Sequence, residues 1–264
     1  MLSMANYNII KTVKSLLKEK SHFLVEGVNF VAEIPFHYEV FVLLVDETKK
    51  ENLFSSKKYE EYKKKFNVVF VSNTNFNKIS QTVNSQGVLA ICKRLDIHNR
   101  SFDKKETKGD FFLILDDVKD PGNMGTIIRT AESAGVNAIF VSKNCVDVYN
   151  SKVLRSTMGA IFNIQIFTVD ILEIIRKLKE ENFKIVSTNV KCEKMYYEEE
   201  LNGKIALIIG NEAFGISEEV LKSSNCEVKI PMIGTSESLN ASVACAILLY
   251  DIVRQKNQKN ILKK

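Results

Sequence analysis

The chain has 264 residues, 45% of them apolar and 26% charged, and its 37 Lys/Arg against 32 Asp/Glu give a formal net charge of +5. That length fits one large domain or two ordinary ones, and the apolar content supports a packed core rather than disorder. No run reaches the roughly 18 apolar residues of a membrane span, the lysine-rich start (Met1 to Lys20) lacks the apolar stretch and cleavage site of a secretory signal, and the five cysteines, Cys92, Cys145, Cys192, Cys226 and Cys245, contain no C-x-x-C pair that would suggest a zinc site or a disulfide framework.

In chain order, residues 6–19 carry helical spacing through Ile9, Ile10, Val13, Leu16 and Leu17. A short strand is predicted at Phe23 to Val25, then a helix-like stretch to about Ile34 and an apolar strand from Val40 to Val45. Residues 57–65 read as a charged, exposed helix, and Val68 to Val71 and Gly87 to Cys92 as strands. Strands alternating with helices predict a small α/β domain over 1–95. The polar stretch 96–108 reads as a linker.

The second part, 109–256, opens with a buried strand at Phe111 to Leu115, helix 123–134 and strand Ala138 to Val141. A further αβ unit follows through about 167, then a helix near 170–181 and a strand at Ile185 to Ser187. Strand Ile205 to Ile209, a helix near 217–223, strand Glu227 to Ile230 and a long helix 238–255 complete it. That helix repeats Leu239, Val243, Ala246, Ile247, Tyr250 and Val253, a stripe suited to a sheet or a partner helix. Residues 257–264 read as a basic, frayed tail. Cys245 reads as a small buried hydrophobe.

The charge is unevenly divided. Residues 1–108 hold 18 Lys/Arg and 12 Asp/Glu, whereas residues 109–264 hold 19 and 20. A basic first part is suited either to docking on a polyanion or simply to solvation.

Three segments of the second part place Gly, Pro, Asn or Ser directly after an apolar run: Asp120 to Arg129 (DPGNMGTIIR), Ile208 to Ile216 (IIGNEAFGI) and Ile230 to Ser242 (IPMIGTSESLNAS). Loops at strand ends are where open α/β sheets bind ligands. Asn123 suits an N-cap, and the free N–H groups at such a helix start attract anions. Arg129 projects about 200° around the helix from Ile127. It is either paired with Glu132 at i+3 or free to grip a phosphate. Gly210 removes a side chain where a planar ligand can approach, or is simply a turn glycine, and Glu212 is either a surface carboxylate or one that accepts protons or holds a ligand hydroxyl. Ser236, Ser238 and Asn240 offer caps for the last helix. A G-x-G-x-x-G or G-x-x-x-x-G-K-[ST] signature is lacking. The three histidines, His22, His37 and His98, all lie in the first part, which argues against a Ser-His-Asp hydrolase in the second. No carboxylate/histidine cluster suggests a metal.

These loops resemble the three motifs of the SpoU (TrmH) branch of the SPOUT RNA methyltransferases, in order, over about 109–255. Asn123 and Arg129 match the first motif, Gly210, Asn211 and Glu212 the second, and Ser238, Leu239 and Asn240 the third. Phe23 to Gly27 and Gln86 to Ala90 resemble pieces of the small, ribosomal-protein-like substrate-binding domain that often precedes this catalytic domain. The resemblance implies a doubly wound, mostly parallel sheet whose C-terminal segment is threaded into a deep trefoil knot. It implies S-adenosylmethionine held by Thr188, Gly210, Ile230 and Leu239, with Asn211 and Met232 adjacent, and a homodimer formed through the knot. It assigns catalysis to Arg129, with Asn123, Glu212, Ser238 and Asn240 orienting it and the ribose. The implied reaction is methylation of a ribose 2′-hydroxyl of RNA, with large-subunit (23S) ribosomal RNA favoured over transfer RNA; the start of the chain, read as no secretory signal, adds the expectation of a cytoplasmic protein. The alternatives are a non-catalytic RNA-binding knot protein of ribosome assembly and a tRNA 2′-O-methyltransferase.

Overall fold

Among the described residues, four strands of the first part and six of the second form two separate sheets. The computed structural model describes residues 2–50, 57–94 and 107–261. The chain divides into two units, Met1–Leu95 and Asp96–Lys264. Of the expected linker 96–108, residues 96–106 lie outside the described residues.

In the first unit, β1 (His22–Glu26), β2 (Val40–Asp46), β3 (Val68–Val71) and β4 (Val88–Lys93) are arranged β1-β4-β2-β3. β4 runs antiparallel to both neighbours, and β2 and β3 are parallel. Helix α1 (Leu2–Lys18) buries Ile10 and Val13 in a core with Leu24, Val42, Leu44, Leu89 and Ile91. After β1 come α2 (Val28–Ala32), α3 (Lys57–Lys65) and a short α4 (Asn73–Phe76), the last unforeseen because four residues carry no periodicity. Helix α3 is not simply exposed. Tyr59 and Tyr62 are buried, and the Tyr62 hydroxyl reaches the carbonyls of Val31, Ala32 and Ile34 at 2.9–3.2 Å. Its hydroxyl thus donates among carbonyls at and just beyond the end of α2, where helical partners run out. The two matching pieces of this unit are neighbours. Val25 pairs with Ala90 and Glu26 with Leu89, and the Gln86 side chain accepts from the Val28 N–H at 2.7 Å.

The second unit holds β5 (Phe111–Leu115), β6 (Ala138–Ser142), β7 (Gln165–Val169), β8 (Lys184–Thr188), β9 (Ile205–Ile209) and β10 (Cys226–Val228), arranged β10-β8-β9-β5-β6-β7 and parallel throughout. Strands β5 and β9 are buried at every residue, as expected where helices cover both faces. The connecting helices are α5 (Pro121–Ser133), α6 (Ser151–Thr157), α7 (Ile171–Glu180) and α8 (Glu218–Lys222), and the chain ends in α9 (Ala241–Ile261). Helices α7 and α8 pack on the face of Phe112, Ile114, Phe140, Ile185 and Ile208. Helix α9 packs against α5 and β9.

Two features of α9 differ from the sequence reading. It starts at Ala241 and continues to Ile261, so the expected tail is helical over its described part. Gln255 and Lys256 anchor it, bonding to Leu201, Glu199 and Gly203 and pairing with Asp110. Its buried stripe is Cys245, Leu248, Leu249 and Ile252, whereas Val243 and Tyr250 of the expected stripe stand 47% and 51% exposed. Up to Val253 the helix is apolar nearly all round, so periodicity alone could not choose its inner side.

Candidate active site

From β5 the chain steps outward through β6 to β7. It then returns across β5 to β8, inserts β9 between β8 and β5, and ends the sheet at β10. β5 and β9 are therefore neighbours whose exits lead in opposite directions, a topological switch point where α/β sheets bind ligands. The loops following these two strands are the first and second of the three singled out in the sequence.

Helix α5 begins at Pro121, with Asp120 as its N-cap. The Asp120 Oδ1 accepts from the Asn123 N–H at 2.8 Å. Asn123 is thus a first-turn residue and not the cap, which leaves its side chain free for other partners. Its Nδ2 donates to Glu212 Oε1 at 3.1 Å, and its Oδ1 accepts from Asn240 Nδ2 at 2.9 Å. The Glu212 carboxylate also accepts from the backbone N–H groups of Lys119 (3.2 Å) and Asp120 (3.0 Å). The anion expected at the start of this helix is supplied by the protein itself. Partial desolvation would raise the Glu212 carboxyl. The hydrogen bond from Asn123 and the backbone donors outweigh it and hold the group below its ordinary value.

Asn240 closes the third loop. Its Oδ1 accepts from the Ser242 N–H (2.9 Å) and hydroxyl (2.6 Å), an arrangement that caps α9. Asn211 ties the second loop to the segment after β5, donating to the Asp117 carbonyl at 2.8 Å, and braces its own loop by accepting from the N–H groups of Ala213 and Phe214. A Cβ on Gly210 would lie 2.3–2.5 Å from backbone atoms of Gly215 and Ile216. The close approach that requires this glycine is therefore that of the protein's own loop, where the sequence suggested a ligand. Thr188 ends β8 with its hydroxyl on the Ile208 carbonyl at 3.2 Å.

The structure thus brings Asn123, Glu212 and Asn240 into one chain of hydrogen bonds across the three loops. Ser238 and Arg129 stay outside it. Both are exposed, and neither side chain bonds to a described residue, so the Glu132 pairing of Arg129 does not form. Ile230 and Met232 are half-buried, and Leu239 is 37% exposed. Three contributors escaped the sequence reading: Asp120, Ser242 and Asp117. Asp120 and Asn123 fit a capping spacing visible in the sequence. Asp117 adopts a left-handed backbone (φ 63°) for which the sequence carries no signal. Among the described residues no group of His, Cys, Asp and Glu could hold a metal ion, and no helix is long and apolar enough to cross a membrane.

A parallel α/β sheet with hydrogen-bonded polar loops at its switch point defines a ligand-binding α/β domain. The profile of the SpoU rRNA Methylase family matches residues 110–250, that of the MRM3-like substrate binding domain matches residues 8–90, and the chain belongs to the SpoU family. It is similar to the 23S rRNA (guanosine(2553)-2′-O)-methyltransferase RlmP of Bacillus subtilis, with 30% identity over 232 residues covering 87% of this chain and 88% of the relative. Among solved structures it resembles the SpoU methyltransferase AviRb from Streptomyces viridochromogenes, with TM-score 0.78, 25% identity and 92% of each chain covered. It also resembles the AdoMet-bound rRNA methyltransferase from Sinorhizobium meliloti, with TM-score 0.75, 26% identity, and 93% and 94% of the two chains covered.

Proposed function

We propose that this S-adenosylmethionine-dependent RNA 2′-O-ribose methyltransferase acts on 23S ribosomal RNA, in the cytoplasm, as a homodimer whose second copy covers the open face of α9. The observation that carries this reading is the hydrogen-bond chain Glu212–Asn123–Asn240, which ties together three loops at one end of the sheet. In this reading the segment 208–255 forms the trefoil knot, and the three loops are its crossings. The activity named for RlmP supports the choice of RNA.

The residues fit the cofactor. The ends of β10, β8 and β9 are adjacent, Val228 pairing with Thr188 and Ser187 with Ile208, so Ile230 and Gly210 follow strand ends on the same side of the sheet as Thr188. Residues 230–239 make no backbone hydrogen bond to a described residue, which leaves donors and acceptors for a purine edge and a ribose. Ile230, Met232 and Leu239 supply partly open apolar surface beside them. When bound, S-adenosylmethionine supplies a methyl group already activated on a sulfonium.

The protein's task is then to align the ribose oxygen and ease loss of its proton. Glu212 is an unsuitable base, because its two oxygens already accept three hydrogen bonds. With Asn123 and Asn240 it acts as a positioning residue. Arg129 has no competing partner among the described residues, and a guanidinium remains charged in proteins. Its role is to bind the phosphate next to the target ribose and to stabilise the developing alkoxide. Ser238, equally free, orients the ribose. The test is incubation of the purified chain with labelled S-adenosylmethionine and 23S rRNA transcript, followed by mapping of 2′-O-methyl groups. Label at a ribose 2′-oxygen supports the reading, and an unlabelled transcript sinks it.

A further inference from the structure

We infer that the catalytic unit carries its own phosphate-binding track for the RNA strand, formed by Lys143, Lys152 and Arg155 beside Arg129. This rests on RNA being the substrate and says where its backbone runs. The sequence placed the positive excess in the first part, but residues 143–162 hold three cations and a single carboxylate, Asp147, within a unit that is otherwise net acidic. Lys143, Lys152, Arg155 and Arg129 are all exposed, and none of their side chains pairs with a described residue. Elsewhere in the unit Lys177, Lys184, Lys194, Arg254 and Lys256 each hold a carboxylate, whereas Arg176, Lys179 and Lys191 are exposed without one among the described residues and lie away from the contacts between the loops after β5 and β6 and between α5 and α6.

Two sets of contacts fix these cations near the site. Lys143 lies between Ser142, whose hydroxyl accepts from the Asp117 N–H at 3.0 Å, and Asn144, whose carbonyl accepts from Lys119 Nζ at 2.5 Å. The Val146 N–H donates to the Val118 carbonyl at 2.9 Å. The loop after β6 is thus stitched to the loop after β5, immediately before the Glu212-bound start of α5. Helix α6 lies against α5 at Gly125, where an added Cβ would stand 2.4 Å from Ser156 Cβ and 2.6 Å from the Val153 carbonyl. Lys152 and Arg155 each neighbour one of those contact residues. Arg129 lies four residues beyond Gly125 on α5, about 6 Å along the helix. Unpaired cations on these adjoining elements suit contacts to backbone phosphates, which position an RNA strand without reading its sequence.

The test measures binding of the full chain to 23S rRNA transcript across a salt series, independently of methyl transfer. The variants are Lys152→Ala/Arg155→Ala and Lys143→Ala. The control is Arg176→Ala/Lys179→Ala, an equal charge loss on α7. The right-handed crossover rule puts α7 on the opposite face of the sheet from α5. The double variant should bind more weakly, with a slope of log K against log salt shallower by about 1–2 and S-adenosylmethionine affinity unchanged. Lys143→Ala should lose about half as much slope, and the control should match wild type. A wild-type slope in the double variant, or an equal loss in the control, overturns the track. Failure of wild type to methylate bears on the proposed reaction alone.

Discussion

Asn240 Nδ2 lies 2.9 Å from Asn123 Oδ1, although the two residues are 117 positions apart. The contact joins the cap of the last helix to the first turn of α5, and through Asn123 to the carboxylate of Glu212. Each amide donates in one direction and accepts in the other, so the chain has a single satisfied arrangement.

Replacing Asn123 with Ala leaves Asn240 without an acceptor and Glu212 without a side-chain donor. The expected cost is about 1–2 kcal/mol of stability, measured by denaturant unfolding, together with weaker S-adenosylmethionine binding by calorimetry. Asn123→Asp should be worse, because it sets a second carboxylate against Glu212. Wild-type stability and affinity in both variants would remove the positioning role.

The depressed Glu212 carboxyl fixes the sign of a pH effect. Its folded value lies below the unfolded one, so its stabilisation is fully present above the ordinary carboxylate range and is lost as pH falls through the folded value. Wild type should therefore exceed Glu212→Gln in stability at neutral pH, and the difference should shrink in acid. A gap that stays constant down to low pH contradicts the assignment.

Arg129→Ala should lower the methylation rate on the order of 100-fold or more, as removal of an electrostatic stabiliser does. Arg129→Lys should keep part of the activity without a new acid limb in the pH–rate profile. A limb that moves down to the lysine's own titration would instead make this residue the base.

Tyr250→Glu places a charge in the open stripe of α9, which also includes Val243. Sedimentation should show the dimer of wild type converted to monomer, with methyl transfer lost and the far-ultraviolet spectrum retained. A wild-type monomer would sink the dimer outright.

The strands of the second unit were legible as apolar runs, and their loops as clusters of Gly, Pro, Asn and Ser, because those residue types act locally. Local spacing likewise marked Asn123, Glu212 and Asn240 as polar residues at strand exits. It did not show that Asp120 would take the cap and release Asn123. The two capping choices differ by a few residues of frame, and the contact with Glu212, 89 positions away, selects between them.

By itself, the sequence determined the alternation of strands and helices, the basic character of the first part, and the three polar loops on which the family resemblance rests. Tertiary structure decided the insertion of β9 between β8 and β5, the inner side of α9, the backbone contact that requires Gly210, and the separation of Arg129 from the hydrogen-bonded loops. The reason is that fully buried parallel strands and an apolar helix have no polar side to reveal their orientation. Partners brought together across a hundred residues leave no period in the chain.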